Sequence, residues 1–188
     1  RYGLMLREDG HVMDDGTCAR LGESHYLMTT TTAAAGQVMR HMDFVHQALR
    51  PNLDVSFTSV TEHWAQFAVA GPQARTLLHG ILDSKISDKN MPYMGCAAVQ
   101  LGAVSGRLFR ISFSGEHAYE LAVPARYGDS LFRLLCGHAD ALGGGPYGME
   151  ALNVLRLEKG FITHAEIHGR TTAFDIGLAR MVSDKKDC

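Results

Sequence analysis

What this sequence lacks narrows it quickly. It has no CxxC pair, and Cys18, Cys96, Cys136 and Cys188 stand far apart. A chain long enough to bury its own core does not need disulfide staples, so reduced thiols and a cytoplasmic setting are expected. Lysine and arginine form no run or stripe and the net charge is −2, which argues against a nucleic-acid partner. No apolar window reaches the roughly 20 residues that span a bilayer. The uncharged stretch from Leu27 to Met39, for instance, is broken by four threonines and a glycine. P-loop, GxSxG and Cys/His nucleophile motifs are also missing.

What remains is an ordinary globular composition. Hydrophobic residues make up 46% of the 188 positions and charged residues 20%, enough apolar content for one domain or two small subdomains. The chain opens on Arg1 without a methionine, so it is expected to be a piece of a longer protein.

Three blocks share a strand–strand–helix rhythm. In the first, "YGLMLRE" and "HYLMTTTT" read as strands, with Gly10 and Gly16 as breaks. Residues 33–49 then read as a helix, because Val38, Met42, Val45 and Leu49 recur at three- and four-residue steps, and Pro51 closes it. In the second, "DVSFTSV" and "WAQFAVA" alternate as strands do, and Gly71-Pro72 opens the helix "GPQARTLLHGIL". In the third, "CAAVQL", "GRLFRISFSG" and "AYELAVP" are strands and "ARYGDSLFRLLCGHADAL" is a helix. A Gly143–Pro146 linker follows, then a helix over residues 148–160 ended by Gly160. Short connections between mixed elements predict an α+β fold with antiparallel sheets and helices on them. The first and third blocks are loosely alike, which suggests a duplication with subdomains of roughly 1–90 and 91–188.

A few residues stand out chemically. Asp14-Asp15, between Met13 and Gly16, fits a polar turn. The pair also fits a pocket where a neighbouring acid and apolar surroundings raise a carboxyl pKa for proton transfer. Glu120 sits in an apolar strand, where an unpaired carboxylate costs several kcal/mol to bury. It either faces water or is held for a ligand with two adjacent N–H donors. Glu116 follows a glycine in a tight turn. "HAEIH" spaces His164 and His168 four apart, but glycines bracket it and no third ligand is evident, so no metal is expected. The remaining histidines read as fillers, and Arg156 as a structural arginine capping a loop.

"MLREDGHVMDDG", "FAVAGPQARTLL", "FSGEHAYELAVP" and "GMEALNVLRLEKG" occur in the order and spacing of the aminomethyltransferase (glycine cleavage T protein) family, and "TTAFDIGLARMVSDKKD" resembles that family's next segment. The resemblance covers nearly the whole chain. Gly16 after the acidic pair and "ALNVLRLEKGF" look more like the folate-binding part of heterotetrameric sarcosine oxidase alpha subunits than like the T protein. The resemblance implies a tetrahydrofolate site in duplicated, swapped antiparallel-sheet-plus-helix subdomains. It matches Asp14 to the family's catalytic aspartate, Tyr2 to an upstream tyrosine, and Glu120 to the glutamate that holds the pterin. Tyr2 or Tyr119 would pack on the ring system. Leu152 falls where the T protein has an arginine that contacts folate, and His168 where an acid is usual, so the folate tail must be held differently. The implied enzyme oxidises sarcosine to glycine using FAD, FMN and NAD bound elsewhere, in a heterotetramer with other subunits and apart from membranes. This chain alone would then lack oxidase activity. A stand-alone aminomethyltransferase acting on a protein-bound lipoyl arm, or a non-catalytic folate-binding or assembly module, are the alternatives.

Overall fold

The computed structural model describes residues 1–183 and 185; Cys188 and the end of the "TTAFDIGLARMVSDKKD" segment lie outside them. The chain forms two compact units, one of residues 1–59 with 162–188 and the other of Val60–Phe161. This differs from the division near residue 90 that the block rhythm suggests. The reason is pairing: β4 (Trp64–Ala70) is bonded along its length to β7 (Ala118–Pro124), which puts residues on both sides of 90 into one sheet.

In the first unit β1 (Tyr2–Leu6), β2 (Val12–Arg20) and β3 (Tyr26–Met28) form an antiparallel sheet in that order. The β1–β2 turn is built at Gly10, whose φ of +80° suits a residue without a side chain. Asp14 and Asp15 are not in a turn, as their composition suggests, but in the middle of β2, opposite Met5 and Leu4. Gly16 is no break either. It lies within β2, where an added Cβ would sit 1.9 Å from the Thr29 carbonyl oxygen, so only glycine allows this approach. A 3-10 turn at Thr32–Ala34 leads into α1 (Ala35–Phe44), which continues as a π-helical turn over Val45–Leu49. Met13 packs on Ala34 and Val38, with Met5 and Met42 at the margin, to make this unit's small core. The expected strand "DVSFTSV" is irregular and mostly exposed, since no neighbouring strand pairs with it.

The second unit holds a four-stranded antiparallel sheet ordered β4-β7-β6-β5, with β5 at Cys96–Leu101 and β6 at Val104–Phe109. β6 is shorter than the expected "GRLFRISFSG". Odd-numbered side chains of β4 and β7 face the core: Val69, Tyr119, Leu121 and Val123, joined by Leu108 of β6. α2 (Ala74–His79) and α3 (Gly128–Ala141) cover that face with Leu77, Leu78, Leu131 and Leu135. Leu78, Leu108 and Leu121 are wholly buried, each worth roughly 1.5–3 kcal/mol of hydrophobic transfer. α4 (Met149–Lys159) ends at Gly160 in the left-handed region. Arg156, its one buried residue, donates to the Phe161 carbonyl oxygen at 3.2 Å, the structural role its sequence suggests.

Candidate functional site

Two separate environments hold the acids singled out above. In the first unit, side-chain alternation along β2 sends Asp14 and Asp15 to opposite faces. Asp14 has no solvent exposure. Its Oδ2 accepts the Thr31 N–H at 2.9 Å, whereas Oδ1 has no hydrogen-bond partner among the described residues. A buried acceptor left without a donor is costly, and natural chains keep such groups mainly where they serve a task. His164 Nδ1 lies 3.9 Å from that bare oxygen. Asp15 is half-buried and accepts the Tyr2 hydroxyl at 2.8 Å. Burial and the nearby Asp14 raise its carboxyl pKa above the ordinary value, against the opposing effect of the Tyr2 bond. Burial, and then the Asp15 contact, likewise push the Tyr2 phenol up.

In the second unit Glu120 lies on the sheet face away from the core, beside Gln66 of β4, whose side-chain amide donates to Glu120 Oε2. Burial raises the Glu120 carboxyl pKa and the Gln66 bond lowers it, the first effect being larger. Tyr147 stands near enough for the Glu120 charge to add to the effect of burial in raising its phenol. Gln66 also lines a groove of about 570 Å³ along β4, together with Leu135, Cys136, Tyr147, Met149 and Leu152. The lining is mainly apolar with a few polar groups, as small-molecule clefts tend to be. Leu152 places no charge there, so the groove offers no cation at that position.

Tyr119 does not fit the stacking role expected of it. As Glu120's strand neighbour it points to the opposite face, and it is fully buried in the core. Its hydroxyl accepts from Arg75 Nε at 3.1 Å and lies 3.2 Å from His117 Nε2. Two aromatic residues that the sequence reading did not single out stand near Glu120: Phe109, its cross-strand partner on β6, and Tyr147.

A family model described as the GCVT N-terminal domain matches residues 1–186. This chain belongs to the GCVT N-terminal domain family. Among curated relatives, the sarcosine oxidase subunit alpha of Rhizobium meliloti is 54% identical over 99% of this chain and 19% of its own length. That of Corynebacterium sp. strain U-96 is 39% identical over 100% of this chain and 20% of its own. An aminomethyltransferase of Streptomyces coelicolor is 30% identical over 100% of this chain and 49% of its own length. The chain thus spans about a fifth of the oxidase subunits it matches. The crystal structure of aminomethyltransferase T from Bartonella henselae superposes with a TM-score of 0.76 at 22% identity, covering 98% of this chain and 47% of that one. The α+β architecture with antiparallel sheets is therefore the T-protein fold.

Within this GCVT-type domain, His164, which the sequence suggests only as a candidate metal ligand with His168, lies instead beside Asp14. The "HAEIH" segment forms a 3-10 turn at His164–Glu166 rather than a longer helix. His168 is held apart by other contacts, its N–H donating to Thr171 Oγ1 at 3.2 Å. Only the return of residues 162–173 onto β2 brings His164 to Asp14, and no local pattern announces that. Among the described residues no group of three His, Cys, Asp or Glu could hold a metal ion, and no helix is long and apolar enough to cross a membrane.

Proposed function

We propose that this chain is the tetrahydrofolate-binding part of a sarcosine oxidase alpha subunit, which passes the carbon removed from sarcosine to the folate and leaves glycine. The observation that carries the reading is Asp14: a wholly buried carboxylate with one oxygen unpartnered among the described residues, in a chain 54% identical to a protein of that name. A stability role would pair both oxygens, whereas a role toward a ligand nitrogen leaves one available.

The residues present suit the folate chemistry. Asp14 Oδ1 can accept a proton from, or hold a positive charge beside, a reacting ring nitrogen. Glu120 offers two oxygens to the pterin's amino group and adjacent ring N–H, a charge-assisted pair of bonds, with Gln66 yielding or sharing its place. Tyr147, at the groove wall, offers an aromatic surface within reach of the Glu120 charge, and Tyr2 holds Asp15 in place. When bound, tetrahydrofolate supplies the nucleophilic nitrogens that take up the carbon. FAD, FMN and NAD, and the other subunits of a heterotetramer in the cytoplasm, belong to the same reading but to other parts of the assembly. Burying Asp14 keeps water from the reacting centre, which protects a hydrolysable carbon–nitrogen unit.

The test is turnover of the full-length enzyme on sarcosine with tetrahydrofolate, assaying glycine and the folate-bound carbon. Asp14→Asn should cut the folate-dependent product by about 100-fold or more with circular dichroism unchanged. Glu120→Gln should mainly raise the KM for tetrahydrofolate, by roughly 10-fold. Unchanged transfer in Asp14→Asn would leave only a structural module. Transfer from a lipoyl-bound aminomethyl group, and none from sarcosine, would favour the aminomethyltransferase reading.

A further inference from the structure

Asp14 raises a problem of proton traffic. With no exposed surface, its carboxylate cannot exchange a proton directly with bulk water. The charged and titratable groups around it are few. Asp15 and Tyr2 pair with each other from the other face of β2, and His164 approaches from the turn after residue 162, its Nδ1 3.9 Å from Oδ1 and its side chain 43% exposed. His164 is thus the one group in contact with both the bare oxygen and solvent among those named. Its position is fixed with some care. Thr163 Oγ1 accepts from Ala165 N at 3.2 Å, and the Glu166 side chain returns to the Thr163 backbone N–H, closing a capping box. Thr171 Oγ1 donates to the Glu166 carbonyl oxygen, and the Thr171 carbonyl oxygen accepts the Val12 N–H at 2.8 Å, two residues from Asp14. The same stapling seats Ile167 and Thr171 in the interior, and it leaves the His164 side chain partly exposed.

We propose that His164 is a positioning and proton-relay residue acting through Asp14; this rests on the reading of Asp14 given above. When an uncharged N–H nitrogen attacks an iminium carbon, the new carbon–nitrogen bond forms as the C=N π pair returns to the iminium nitrogen, and the attacking nitrogen, now positively charged, sheds its proton. Asp14 Oδ1 accepts it, neutral His164 takes it at Nδ1, and a proton leaves Nε2 to water. Asp14 is a carboxylate again, and no electrons change hands. The 3.9 Å gap is longer than a hydrogen bond, as ligand-free catalytic contacts often are, and a ring rotation or one water closes it.

In the full-length enzyme, His164→Gln keeps the size of the side chain and removes the titrating ring. It should lower kcat for folate-dependent transfer about 10- to 100-fold while KM for tetrahydrofolate stays within roughly twofold. Added imidazole should restore much of the rate to His164→Ala and none to Asp14→Asn. Without folate, the His164 ring resonances in NMR of this chain should move in Asp14→Asn. Full kcat in His164→Gln, absence of imidazole rescue, or resonances indifferent to Asp14 would each overturn the relay and leave His164 a turn residue. If Asp14→Asn alone left transfer intact, the reading of Asp14 itself would fail, a result distinct from any His164 outcome.

Discussion

Single side chains decide most of what this domain can do, and several are placed at a cost to stability. Glu120 sits where burial raises its pKa, so the folded chain binds its proton more tightly than the unfolded chain. The contribution of that group is fully present below the unfolded value and is lost as pH rises through the folded one. Glu120→Gln removes the charge and keeps a partner for Gln66. It should therefore stabilise the ligand-free chain at neutral pH by on the order of 1 kcal/mol while weakening folate binding. The gain should shrink as pH falls through the folded pKa, and melts of the two proteins at several pH values check both the sign and the trend. The same logic explains what was legible here. A carboxylate inside "AYELAVP" is conspicuous in sequence because apolar strands rarely hold one. Tyr119, suggested only by the family resemblance, belongs to the core, because strand parity sends it the other way.

Secondary elements show where local pattern suffices and where it does not. Helices α3 and α4 and strand β7 follow from periodicity and from Gly160. β2 was obscured because aspartates and glycine favour turns when read locally, whereas pairing with β1 and β3 overrides that preference. Gly16 makes the point in reverse. Gly16→Ala should destabilise the chain by about 1–3 kcal/mol, since its Cβ would meet the Thr29 carbonyl oxygen and force β2 from β3. Urea unfolding followed by circular dichroism would measure it, and a neutral effect would mean the approach of the two segments is looser than described. "DVSFTSV" failed as a strand for want of a partner, which alternation within one segment cannot reveal.

At the scale of the molecule, residues 60–161 are continuous in sequence and own a large core. Expressed alone, they should give a cooperative thermal transition and retain strand and helix signals. Within that fragment Leu121→Ala should cost about 2–5 kcal/mol, and a non-cooperative melt would show that the core does not stand by itself. The other unit is different in kind. The unit is assembled from two stretches although its small core comes from the first of them, and Arg7 Nη2 reaches the Gly169 carbonyl oxygen across 162 positions of sequence.

That discontinuity has a temporal side. On a ribosome the opening hairpin emerges long before the threonine turn that must settle on it, and more than half the chain is made in between. Until residue 171 is free of the exit tunnel, the Val12 N–H lacks its Thr171 acceptor and His164 cannot approach Asp14. The approach of His164 to Asp14, on which the proposed relay rests, is thus completed late, by the joining of two stretches far apart in sequence.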